Sequence, residues 1–124
     1  AGPGALPEAE TADVSLAFQA RWARTIASGG LDQLAVIRVD GDSMQPTLSH
    51  GDHILIDRAD RTRLRDGIYV LRSDDVLLVK RLSLNPVTDR ISLLSDNLAY
   101  PAWTDASPDS IDVIGRVIWV GRKL

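Results

Sequence analysis

The chain has 124 residues, 44% of them hydrophobic, which is enough for one domain with a substantial core. Its formal net charge of -3 gives it no general electrostatic pull towards nucleic acid or anionic lipid. With no cysteine, disulfide frameworks and thiolate metal sites are excluded, and the composition fits a reducing cytoplasm.

The opening AGPGALPEAE carries Gly and Pro without periodicity and reads as an extended leader, so residues 1–15 are expected to be a linker and 16–124 one domain. It lacks the basic start and apolar stretch of a signal peptide. Apolar runs such as Val76-Leu77-Leu78-Val79 are too short to span a bilayer, so a cytoplasmic protein without a membrane anchor is expected. Because the chain opens on Ala1 rather than Met, an upstream domain stays in play.

Phe18, Trp22 and Ile26 recur every four residues and predict one short helix from about Ala17 to Ser28, with Gly29-Gly30 as its C-cap. Short strands follow. Leu34–Val39 is the first, and after the Gly41–Leu48 segment come His53–Asp57 and Ile68–Leu71. Ser73-Asp74-Asp75 reads as a hairpin turn into Val76–Leu82, and Arg90–Leu94 and Asp112–Val120 complete the series. The predicted fold class is therefore mainly β, six or seven short strands with one short helix near the N-terminus. No repeat and no helix-turn-helix pattern is visible, so this segment by itself is not expected to read DNA. Arg58, Arg61, Arg63 and Arg65 interleave with Asp57, Asp60 and Asp66, the pattern of a solvated face.

Of fourteen basic residues only two are lysines, Lys80 and Lys123. Lys123 lies beside the C-terminus, whereas Lys80 sits inside the apolar run VLLVKRL. Alternation puts Val76, Leu78, Lys80 and Leu82 on one face and Leu77, Val79 and Arg81 on the other. An ammonium on an aliphatic face must pair or lose its proton, and arginine cannot do the second. Lowering a lysine by about three pKa units takes about 4 kcal/mol, within what burial supplies. The plainer alternative is a lysine at a strand edge with its tip in solvent.

The segment GDSMQPTLSHGD, residues 41–52, holds Ser43 on a tight turn. Its hydroxyl suits a helix N-cap, or it can be a nucleophile with neighbouring backbone amides as an oxyanion hole. A serine needs a base, and a neutral lysine can serve as one. The rival bases are His50 and His53, and a weaker reading pairs these histidines with Asp52 or Asp57 as metal ligands, without a convincing third ligand. No metal or other cofactor is expected.

GDSMQPTL with VKRL downstream resembles the serine-lysine peptidase domain of the LexA and phage-repressor family. GDHILIDR, DGIYVL, the SDNLAYP turn and the closing VIGRVIWVGR extend the resemblance over roughly residues 35 to 122. It implies Ser43 as nucleophile, Lys80 as neutral general base, and the amides of Ser43 and Met44 as oxyanion donors. It also implies a mostly β peptidase fold that dimerises, and DNA binding through an upstream helix-turn-helix domain absent from this chain. In LexA-type members a RecA filament on single-stranded DNA promotes self-cleavage, the chemistry of the SOS response. Members that autodigest cut a small-residue–Gly bond between their two domains, which makes Ala1–Gly2 the candidate scissile bond; a flexible linker is the bland reading of the same residues. Type I signal peptidases share the GDSM-plus-Lys arrangement, but their membrane anchor is missing here.

Two other functions remain open: a non-catalytic dimerisation and ligand- or partner-sensing domain, or a polymerase accessory subunit related to UmuD. Ile111, Val113, Val117, Ile118, Trp119 and Val120 crowd the last strand and predict a homodimer through it, or else simply close the core.

Overall fold

The computed structural model describes residues 16–124. After the short helix α1 (Ala20–Ile26) come seven strands: β1 (Leu34–Arg38), β2 (His53–Asp57), β3 (Gly67–Ser73), β4 (Val76–Leu84), β5 (Ile91–Leu94), β6 (Trp103–Ala106) and β7 (Asp112–Gly121). They form one antiparallel sheet in the order β1-β2-β7-β3-β4-β5-β6. The mainly β class, with a short helix before the sheet, is as expected. No described helix is long and apolar enough to cross a membrane.

Strand alternation sorts the core into two clusters. Ile37, Ile54, Ile56, Val70 and Ile114 meet on one face, with Leu77 and Val79 packed against them. Tyr69, Leu71, Leu82, Ile91 and Leu93 form the other. Lys80 and Leu82 share the parity of this second cluster, as the period of two requires. The β3–β4 hairpin turns on Asp74-Asp75, with Ser73 opposite Val76. Asp74 takes a positive φ of 53°, which Asp tolerates better than most residues.

The sheet curls. β7 carries an extra residue opposite the Leu55/Ile56 step of β2 and another opposite the Val70/Leu71 step of β3, and bulges of this kind bend a strand and increase its twist. As a result the free edge of β1 comes round to face β4, and Ile37 and Val79 contribute to one cluster although three strands lie between theirs in the sheet order.

Three expectations are corrected. The helix is shorter than Ala17–Ser28 and stops before the glycines, at Ala27, whose φ and ψ are extended. Gly29 serves close approach instead: a Cβ there would lie 2.7 Å from that of Ala59. The four-residue stripe is also not the buried side of the helix. Ala23 is the buried residue, while Trp22 stacks on Phe18, which in turn meets Trp119 edge-on at 5.1 Å. Finally, β6 has no apolar alternation (Trp-Thr-Asp-Ala), and its first three residues are exposed; it is a strand because β5 offers it an edge.

β7 lies between β2 and β3, so both of its edges are occupied. Ile111, Val113 and Val117 pack against the two clusters. Val120 remains exposed.

Candidate active site

The segment from Gly41 to Asp52 folds as a succession of turns, not a helix. Glycines with φ of 86° and 89°, Gly41 and Gly51, bend the chain near its two ends, a backbone region costly for any side chain. The β1–β2 pairing continues just beyond the strands, Val39 N–H donating to Asp52 O (2.7 Å) and Gly51 N–H to Val39 O (2.9 Å). Met44 and Leu48, four residues apart, are both buried in the first cluster, and Leu48 N–H donates to Met44 O. Asp52 fixes the far end. It accepts from Ser49 N–H and takes a bidentate ion pair from Arg122 at 2.7 and 2.8 Å. The Arg122 guanidinium holds its carboxyl below the usual range, against a desolvation that pushes it up.

Ser43, next to the Met44 anchor, is left facing a cleft of about 530 Å³ that Lys80, Tyr100 and the Val76–Val79 run also line. No helix follows Ser43 for it to cap, and its hydroxyl bonds no described residue. The amides of Ser43 and Met44 likewise donate to no group among the described residues, whereas Gln45 and Leu48 are paired.

Lys80 is not a solvent-tipped edge lysine: it is only 7% exposed. Desolvation by burial holds its ammonium below the ordinary lysine range. Its Nζ lies 4.8 Å from the centre of the Trp103 ring and donates to Ser95 Oγ at 2.8 Å. This second contact follows from register. β4 and β5 pair Leu84 with Ile91, Ser83 with Ser92, Leu82 with Leu93 and Arg81 with Leu94, so the next opposed couple is Lys80 and Ser95. The sequence signal for Ser95 lay only in the SDNLAYP turn, which carries no role for its serine.

The structure therefore brings Ser43 and Lys80 to one cleft, with Lys80 bonded to Ser95 rather than to Ser43. Neither histidine lines that cleft. His50 Nδ1 accepts from Gly41 N–H at 2.9 Å and lies 3.5 Å from Asp40 Oδ1. His53 stands on β2 with Nε2 buried and without a hydrogen-bond partner among the described residues. Asp57 is used by Ser28 N–H, Ser28 Oγ–H and Ala59 N–H. Among the described residues no three His, Asp or Glu side chains gather as a metal site would need. The arginine run is a solvated face: Arg65 pairs with Asp60, and Arg58 reaches the carbonyls of Asp32 and Gln33.

One edge of the cleft is open backbone. β5 covers β4 only from Arg81 to Leu84, leaving the outer edge of Val76–Lys80 without a neighbouring strand among the described residues. Such an edge accepts an extended segment as an added strand.

Residues 1–118 match the Peptidase S24-like family. The chain is 30% identical over 123 residues to the 26 kDa repressor protein of Escherichia phage HK022, covering 95% of this chain and 52% of that protein. It is 33% identical over 96 residues to an HTH-type transcriptional regulator of Haemophilus influenzae, covering 75% of this chain and 39% of the other. The chain thus spans about half or less of the length of these relatives.

Proposed function

The chain belongs to the Peptidase S24-like family, and on that premise we propose that it is the self-cleaving and dimerising domain of a transcriptional repressor. The observation that carries this is the shared cleft: Ser43 and a buried Lys80 whose pKa is lowered by desolvation line the same cavity. Neutral Lys80 takes the proton of Ser43 as Oγ attacks the carbonyl carbon of the scissile residue. The oxyanion that forms is met by the free amides of Ser43 and Met44. Collapse expels the new amine, which takes the proton back from Lys80, and a water deprotonated by the same lysine then hydrolyses the acyl-serine. The substrate is an extended segment laid along the open edge of β4, with Ala1–Gly2, which lies outside the described residues, as its scissile bond. Likeness to a phage repressor and an HTH-type regulator supports a repressor over a polymerase accessory subunit. DNA binding through an upstream domain, and stimulation by a RecA filament, belong to the same proposal.

The test is fragmentation of the full-length protein followed by mass spectrometry as pH rises. A cut at the Ala-Gly linker should accelerate about tenfold per pH unit while Lys80 is still protonated, then level off. It should vanish in both Ser43→Ala and Lys80→Ala. A second reading is favoured by one contact, the Lys80–Ser95 bond in place of a Lys80–Ser43 bond: a dimerising, partner-sensing module without catalysis. Fragmentation that is absent, or that survives Lys80→Ala, selects it.

A further inference from the structure

We propose that Asn97 is the positioning residue of the oxyanion amides, and that the Ser95–Tyr100 strap carrying it holds the two halves of the dyad in register. The inference rests on the Ser-Lys reading of the cleft. Asn97 makes two bonds to the nucleophile turn: its side-chain Nδ2 donates to Asp42 O at 3.1 Å, and its backbone N–H donates to Ser43 O at 3.0 Å. These two carbonyls are not arbitrary. Asp42 C=O shares its peptide plane with the Ser43 N–H, and Ser43 C=O shares its plane with the Met44 N–H. In a planar trans peptide the C=O and N–H point in opposite directions. Gripping both oxygens from one side therefore fixes both N–H groups pointing away from Asn97. Those are the two amides that have no partner among the described residues.

Asn97 is itself held. Its Oδ1 accepts from Ala99 N–H at 3.0 Å and its carbonyl from Tyr100 N–H at 3.1 Å, which locks the side chain with its NH₂ towards Asp42. The residues around it reach both halves of the site. Towards the serine turn, Tyr100 Oη–H donates to Asp42 and Thr47 Oγ1–H to Asp96. Towards the lysine strand, Ser95 accepts from Lys80, and Asp96 receives a bidentate pair from Arg81 at 2.7 and 2.8 Å. Asp96 is bonded from both sides at once. A strap gripping the serine turn and β4 sets the distance between nucleophile and base, which neither element sets alone.

Asn97→Asp decides the matter, because it keeps the size and the Oδ1 acceptor but replaces the NH₂ donor by an oxygen facing Asp42 O. In the intact protein the plateau rate of self-cleavage should fall about 100-fold, the scale of a lost or misaligned oxyanion donor. The pH midpoint should not move, since Lys80 is untouched. Backbone ¹⁵N order parameters of Ser43 and Met44 should fall from about 0.85 towards 0.6 while those of Val79 and Leu82 stay high. Asn97→Ala should act in the same direction. A plateau rate within threefold of the parent, unchanged order parameters, or a shifted midpoint overturns the assignment. If the unaltered protein fails to cleave itself, the Ser-Lys reading falls, whereas the order parameters still decide whether Asn97 sets these amides.

Discussion

Replacing Ser95 by Ala tests how the structure tunes Lys80. Both residues are nearly dry, 7% and 5% exposed, and their bond is 2.8 Å. A hydroxyl accepting from an ammonium contributes about 1.5–3 kcal/mol net, against about 0.5–1.5 kcal/mol for a neutral partner. The difference, about 1–1.5 kcal/mol, favours the charged lysine and at 1.36 kcal/mol per unit amounts to about one pKa unit. Burial pulls the other way and wins, since the lysine lies below its ordinary range. Removing the hydroxyl leaves burial less opposed, so the midpoint of the cleavage profile should move down by about one unit in Ser95→Ala. The plateau should fall as well, because the amine loses its anchor. Trp103→Leu removes a ring face that also favours the cation and should shift the midpoint the same way by less, about 0.5–1 kcal/mol in energy. Single-turnover cleavage across the pH range measures both. An upward shift in Ser95→Ala refutes the reasoning, for it would mean that Ser95 donates to a neutral amine instead of accepting from a charged one.

Lys80→Met should stabilise the fold by about 1–3 kcal/mol near neutral pH, since it removes a cation that burial penalises. The folded protein binds fewer protons at Lys80 than the unfolded chain between the lowered pKa and the ordinary 10.5, so parental stability rises with pH across that window. The gain should shrink accordingly in urea titrations carried from pH 7 to about 10.5, and a gain independent of pH would contradict the linkage. Asp57→Ala strands the amides of Ser28 and Ala59 against a buried carboxylate site and should cost about 2–4 kcal/mol in urea unfolding. Val120 is exposed on β7, whose two edges are both occupied, so a dimer should form through the sheet face that carries Val120 rather than through a strand edge. Sedimentation at high micromolar concentration should give a dimer mass for the parent and a monomer for Val120→Glu; a parental monomer would sink this assembly.

What could be read from the sequence divides by the range of the interaction responsible. Alternation in VLLVKRL is a property of one strand, and it put Lys80 on the face it occupies. The contrast between two lysines and a chain rich in arginine marked that position as one where a removable charge matters. Gly29 was misread because a glycine after a helix signals a cap locally, while the real demand is a neighbour 2.7 Å away that no local pattern announces. β6 was missed for the same reason: an edge made it a strand, not its side chains. The catalytic proposal has the same division within it. Ser43 and Lys80 each leave a local trace, a turn in one case and a misplaced cation in the other. Their competence depends on Ser95, fifteen residues beyond Lys80, and on Asn97, fifty-five beyond Asp42. Both arrive through the register of β5 against β4, which one inserted residue in the turn between those strands would shift, carrying Ser95 to the opposite face. A variant with such an insertion would keep the GDSM turn and the buried lysine strand intact and still lose the strap that relates them, so a serine and a lysine in the right motifs are insufficient grounds for activity in any relative whose β4–β5 register differs.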